Sequence, residues 1–201
     1  MRSPRFQISV DVFEMHTYFL LIFQRLLYWT DVGKNPKIEQ AAMDGTSRRI
    51  IVNENLGAPN GLTMDHSSNR LYWIDAKLDR IEEFDLNNRN RRVILSFTTD
   101  VSPFGLAMYQ DWLYWSDWKT KTISRVSTNR GKKEIIAFGL KIPMDLFVYD
   151  AAASSPGKRC TIYMFVMACT YFLLLEITNF RMQFFGFSIL SRNFALIYSS
   201  F

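Results

Sequence analysis

One pentapeptide decides most of what this chain is able to fold into. Leu27-Tyr28-Trp29-Thr30-Asp31, Leu71-Tyr72-Trp73-Ile74-Asp75 and Leu113-Tyr114-Trp115-Ser116-Asp117 all read Leu-Tyr-Trp-x-Asp, with Tyr-to-Tyr offsets of 44 and 42 residues. A self-similar period of this size marks a repeat architecture, in which each unit buries its apolar faces only against its neighbours. Two further signatures keep the same register. Pro59-Asn60-Gly61-Leu62 and Pro103-Phe104-Gly105-Leu106 precede the second and third copies, their Pro standing 13 and 11 residues before the Tyr. Ile142-Pro143-Met144-Asp145-Leu146 repeats that position once more, with Met144-Asp145 where the glycine is expected. After each Asp come Lys37-Ile38, Arg80-Ile81 and Thr122-Ile123. Arg48-Arg49-Ile50-Ile51, Arg91-Arg92-Val93-Ile94 and Lys133-Glu134-Ile135-Ile136 then follow in turn.

Within one period the pattern is strand, turn, strand. Gly61 to Asp65 alternates, His66 to Asn69 supplies turn formers, and Arg70 to Asp75 is aromatic and extended. Ala76 to Asp79 turns, Arg80 to Asp85 extends, Asn87 to Asn90 turns again, and Arg92 to Phe97 is a fourth extended run. Four short strands per ~42 residues make a β-propeller blade, and no window keeps the 3.6-residue apolar period of helical repeats. The residues suit a blade. Tyr28-Trp29, Tyr72-Trp73 and Tyr114-Trp115 put large apolar area on opposite faces of one strand, and Gly61 and Gly105 allow a close backbone approach. Asp31, Asp75 and Asp117 are expected to be buried and to accept backbone or hydroxyl hydrogen bonds, since a catalytic group does not recur at a structural period.

Composition removes several function classes. The 201 residues are 48% hydrophobic and 21% charged, so the chain is able to bury a core; two cysteines do not make a disulfide scaffold, and two histidines do not make a multi-histidine metal centre. The net charge of +5 sits mainly in the flanks, because residues 27–150 hold 17 Lys+Arg against 16 Asp+Glu. A nucleic-acid binder concentrates positive charge on its folded module, so no nucleic-acid partner is expected. The basic groups Arg89, Arg91, Arg92 and Lys132, Lys133 read as solvated hairpin loops. Nucleophile-elbow, dinucleotide-binding, Walker and Cys-x-x-Cys sequences are absent, and no cofactor or metal is expected.

With these motifs in hand, the chain resembles the YWTD (class B) repeat proteins of the low-density-lipoprotein receptor family, whose six copies close a six-bladed propeller. Gly57-Ala58-Pro59-Asn60-Gly61-Leu62-Thr63, Tyr72 to Leu78, Tyr114 to Trp118 and Pro143-Met144-Asp145 are most similar to the Wnt co-receptor subgroup of LDL-receptor-related proteins. The resemblance implies an all-β, incomplete six-bladed propeller of about three four-stranded blades. It also implies extracellular protein ligands, among them Wnt proteins or secreted Wnt antagonists, and residence at the cell surface or in the secretory pathway. Binding residues sit on inter-strand loops, where Lys34, Asn35, Asp79, Arg80, Trp112 and Trp118 are the candidates. One competing class is a non-binding or dominant-negative truncated product. Another is a metal-dependent propeller lactonase, with Asn60, Asp65 and Asp145 as its oxygen ligands, although hard-cation sites need several oxygens converging from different blades.

The ends depart from the family pattern. Residues 1–25 are unassigned, although Gln7 to Phe23 has the apolar content for a strand or two; Asp11, Glu14 and His16 interrupt any signal-peptide core. Repeats are assigned to 26–69, 70–111 and 112–154, and 155–201 is a Phe-rich tail carrying 8 of the 17 Phe. Cys160, where the family's disulfide-rich module would begin, opens a charge-free stretch through Leu175 that is a candidate membrane helix of marginal length. An alternative exon or read-through is the competing reading; Cys169 lies nine residues on in the same apolar segment, and the rest of that module does not appear. Three blades leave two apolar end faces, so self-association of the isolated chain is expected.

Overall fold

Short runs rich in aromatic and β-branched residues, separated by Asp/Asn/Gly turns, do form strands throughout. The computed structural model describes residues 17–23, 25–98, 100–129, 131–141, 143–150, 162–168, 171–178 and 181–188. Four four-stranded antiparallel sheets result. The first holds β1 (Thr17–Phe23), β2 (Leu26–Asp31), β3 (Lys37–Ala42) and β4 (Arg49–Val52). The second holds β5 (Pro59–Asp65), β6 (Arg70–Asp75), β7 (Arg80–Asp85) and β8 (Arg91–Ser96). The third holds β9 (Pro103–Tyr109), β10 (Trp112–Asp117), β11 (Thr122–Ser127) and β12 (Lys133–Ala137). The fourth holds β13 (Leu146–Asp150), β14 (Ile162–Ala168), β15 (Tyr171–Thr178) and β16 (Arg181–Ser188). Each is a meander of sequential hairpins.

The pentapeptide is the second strand of its sheet, so each sheet begins one strand before the motif. Thr17–Phe23, unassigned by sequence, is that first strand for the first copy: Leu20 pairs with Trp29 and Leu21 with Tyr28. The chain divides into two compact units, residues 1–93 and 94–201. In the first unit, Tyr28, Ile38, Ile51 and Val52 from one sheet pack with Leu62, Met64, Leu71, Trp73 and Phe84 from the next. In the second unit, Ala107, Tyr114, Ile123, Ala137 and Leu140 pack with Leu146 of β13.

The tail corrects one expectation. Residues 162–168, 171–178 and 181–188 are strands, not a helix, and among the described residues no helix is long and apolar enough to cross a membrane. The physical reason is the register of β13. It places Leu146 three residues after Pro143, as β5 and β9 place Leu62 and Leu106 three after Pro59 and Pro103, and it presents an edge that needs a ladder partner. β14 supplies it, with Leu146 opposite Val166 and Phe147 opposite Phe165, the register positions that Trp115 and Tyr114 take opposite Leu106 and Ala107 in the third sheet. Apolar β-branched and aromatic residues thus form the ladder without the Leu-Tyr-Trp-x-Asp signature. Cys160, Cys169 and the residues before Thr17 lie outside the described residues.

Candidate functional site

The end of each signature sheet is organised by the motif carboxylate. Asp75 is fully buried and accepts four backbone N–H groups: Gly57 at 2.7 Å and Ala58 at 2.9 Å from the β4–β5 connection, Lys77 at 3.2 Å and Leu78 at 3.0 Å from its own turn. Asp117, also buried, accepts Ser102 N at 3.2 Å, Lys119 N at 3.0 Å and Thr120 N at 2.9 Å. These are internal staples between a turn and the incoming connection, because an ionised carboxylate so far from water is tolerated only when its lone pairs are taken. Asp31 is half-buried, accepts Gly33 N at 2.9 Å and faces Lys37 at 3.5 Å. The fourth motif position adds a second staple. Thr30 Oγ1 donates to Asn60 O at 3.3 Å, and Ser116 Oγ donates to Met144 O while accepting Gly105 N at 2.9 Å. A Cβ on Gly105 would lie 2.6 Å from Met144 O and 2.9 Å from Leu146 N, so this approach requires glycine.

Cations cover the motif tryptophans. Arg91 lies 5.1 Å from the Trp73 ring centre and Arg48 5.3 Å from Trp29, while Lys133 Nζ lies 5.5 Å from Trp115. Arg91 grips Glu82 through Nε and Nη2, each at 2.7 Å, and Arg48 grips Glu39 at 3.0 and 2.7 Å. The neighbouring cross-strand pair reads Gln40–Arg49 in the first sheet and Glu83–Arg92 in the second. In the third it reverses to Arg125–Glu134. Burial raises the Glu83 carboxyl, but bonds from Arg92 and Tyr72 with the charges of Arg92 and Arg70 outweigh it and hold the group below the ordinary glutamate value. Arg91, Arg92 and Lys133 therefore stand on strands as partners of tryptophan or glutamate, not on solvated hairpin loops. Three cross-strand partners set that outcome, and the charge run alone does not reveal them.

The six loop candidates separate into two groups. Lys34 and Asn35 lie exposed between β2 and β3; Asp79 and Arg80 close the β6–β7 turn; Trp118, 52% exposed, begins the β10–β11 turn. All five follow the Asp end of a motif strand. Trp112 starts β10 and Trp118 follows its end, so the two stand at opposite ends of the third sheet. Trp112 is half-buried beneath Arg125, 4.1 Å from its ring centre. At the Asp end of the second sheet lies an open cleft of about 460 Å³, lined by Asn55, Leu56, Leu78, Arg80, Glu82, Arg91, Arg92 and Val93. Of these only Arg80 is legible as a candidate from sequence; the others come together through the β4–β5 connection. Arg80 donates to Glu82 Oε1 at 2.9 Å and to Asn55 O at 3.0 Å, and Arg91 donates to Glu54 O at 2.5 Å and Asn55 O at 2.9 Å.

Residues 25–66 match the sequence profile of the low-density lipoprotein receptor repeat class B. The chain carries YWTD repeats of the low-density lipoprotein receptor family. The vitellogenin receptor Yl of Drosophila melanogaster is 37% identical over 67% of this chain and 6% of its own length. The human low-density lipoprotein receptor-related protein 5-like protein is 35% identical over 67% of this chain and 53% of its own. The chain thus spans about half, or far less, of the curated relatives it matches. One chain of a nidogen/laminin complex superposes with a TM-score of 0.66 at 26% identity, covering 80% of this chain and 60% of that one. The YWTD assignment therefore stands on sequence and fold together.

Propeller enzymes below 25% identity superpose as well, which shows the fold alone. Of the residues considered for the lactonase alternative, Asn60 and Asp65 do not converge. Asn60 and Asp65 stand near opposite ends of β5, about 17 Å apart at the usual rise of a strand. Asp65 is occupied by Ser67 N, Ser67 Oγ and Ser68 Oγ at 2.6–2.9 Å. Among the described residues no group of three or more His, Cys, Asp or Glu has metal-binding geometry.

Proposed function

We propose that the chain is a receptor segment that binds extracellular protein ligands at the Asp end of its YWTD sheets, in the secretory pathway or at the cell surface. One observation carries the reading. The motif carboxylates are consumed by backbone amides, so the repeats supply scaffold chemistry, while Trp118, Lys34, Asn35 and Asp79 face outward from turns at the same end of their sheets. An exposed indole on a stapled turn is the kind of anchor on which protein interfaces concentrate their energy. The likeness to LDL-receptor-related proteins supports Wnt proteins or secreted Wnt antagonists as the ligand class.

Biolayer interferometry with the immobilised chain against a panel of secreted Wnt antagonists tests this. Saturable binding that weakens about tenfold or more in Trp118→Ala is expected. A folded chain that binds none of them overturns the reading. If that non-binding chain also lowers signalling by a co-expressed full-length receptor, the dominant-negative alternative takes its place.

A further inference from the structure

We propose that the cleft beside β8 docks an extended segment of a partner protein in which an acidic side chain stands next to an aliphatic one. The proposal rests on the binding reading above and gives it a ligand class and an address. Charge comes first. The lining carries Arg80, Arg91 and Arg92 against Glu82, and Glu83, which holds Arg92, is the second carboxylate, leaving a surplus of one positive charge. Nη1 of Arg80 and Nη1 of Arg92 donate to nothing among the described residues, so a carboxylate entering the cleft finds charge-assisted donors still open.

Shape and preorganisation follow. Leu56, Leu78 and Val93 form aliphatic walls, and Leu78 and Val93, 39% and 47% exposed, are open to an aliphatic side chain of an occupant. The floor is rigid: Arg91 bridges the buried Glu82 carboxylate to the carbonyls of Glu54 and Asn55 and lies across Trp73, so the cleft is not assembled at the expense of ordering a loop. The occupant is extended because β8, which contributes Arg92 and Val93, is the edge strand of its sheet. An edge offers a ladder of main-chain donors and acceptors to an added strand, with alternate side chains dropping into the flanking pocket.

Fluorescence anisotropy with the full chain and a fluorescein-labelled hexapeptide bearing Asp-Leu at its centre tests this, beside the same peptide with Asn-Leu. Saturable binding is expected, weakened about tenfold or more by the Asn peptide and by Arg80→Ala. Leu78→Ser, an exposed position that keeps the fold, weakens it to a lesser degree, and Lys132→Ala, a charge removed elsewhere, leaves it unchanged. Equal affinity for both peptides, indifference to Arg80→Ala and Leu78→Ser, or absence of saturable binding overturns the proposal. So does a loss in Lys132→Ala equal to that in Arg80→Ala with displacement by a heparin oligosaccharide, which indicates a diffuse polyanion surface. A Wnt antagonist that binds wild-type and Arg80→Ala chains equally defeats the cleft and leaves the receptor reading standing. Peptide binding without any protein ligand does the reverse.

Discussion

The first and second copies of the pentapeptide differ only at Thr30 and Ile74, yet their environments differ throughout. Trp73 and Asp75 are completely buried, whereas Trp29 and Asp31 are half-buried. Gly57 N and Ala58 N, from the connection entering the second sheet, land on Asp75; among the described residues Asp31 accepts Gly33 N and faces Lys37, and the chain preceding β1 lies outside them. The same contrast holds for the cation on each ring. Arg91 is pinned to the β4–β5 connection and mostly buried, while the Arg48 side chain is 59% exposed. The motif does not bury itself. In the second and third copies it is a socket whose filling is the preceding connection.

Trp73→Ala breaks the comparison hardest. It is expected to cost ~3–5 kcal/mol, with Trp29→Ala costing about half of that or less, read from urea unfolding midpoints. Equal losses would mean that burial of the ring is not what distinguishes the copies. Next comes Gly105→Ala, which drives a methyl against the backbone of Met144 to Leu146 and should cost ~1–3 kcal/mol by the same assay. Asp75→Asn replaces one acceptor oxygen with an NH₂ among four amides and is expected to cost ~1.5–3 kcal/mol. Asp31→Asn, partly exposed and with one amide, should cost under ~1 kcal/mol. The smallest effect is on pH dependence. The folded Glu83 carboxyl lies below its ordinary value, so its contribution is present above the unfolded pKa and is lost as pH falls through the folded one. Glu83→Gln should flatten that part of an acid unfolding curve; an unchanged slope would remove Glu83 from the account.

The sheets were legible because their signal is local. Alternation and turn chemistry from Gly61 to Phe97 predict β5 to β8 to within two residues at every end, and the threefold period predicts the same for its siblings. The tail was misleading for a physical reason as well. Cys160 to Leu175 has the apolarity of a marginal helix, and only pairing with β13 turns its residues into β14 and β15. Propensity cannot anticipate such a partner. The half-buried state of Trp29 was equally hidden, since it depends on neighbours that the motif does not encode. At the candidate site, turn residues such as Trp118 and Asp79 stood out as loop positions. Leu56, Leu78, Arg91 and Val93 did not, because residues up to 37 apart in sequence meet there only through the connection that Arg91 holds.

The socket itself is open to direct measurement through amide hydrogen exchange at Gly57 and Ala58. With Asp75 intact both N–H groups should be protected together with the β6–β7 ladder. In Asp75→Asn they should exchange markedly faster, while the ladder amides of Trp73 and Ile81 keep most of their protection. Unchanged exchange at Gly57 and Ala58 in the variant would contradict the account, since the motif carboxylate would then not be what holds the connection in place.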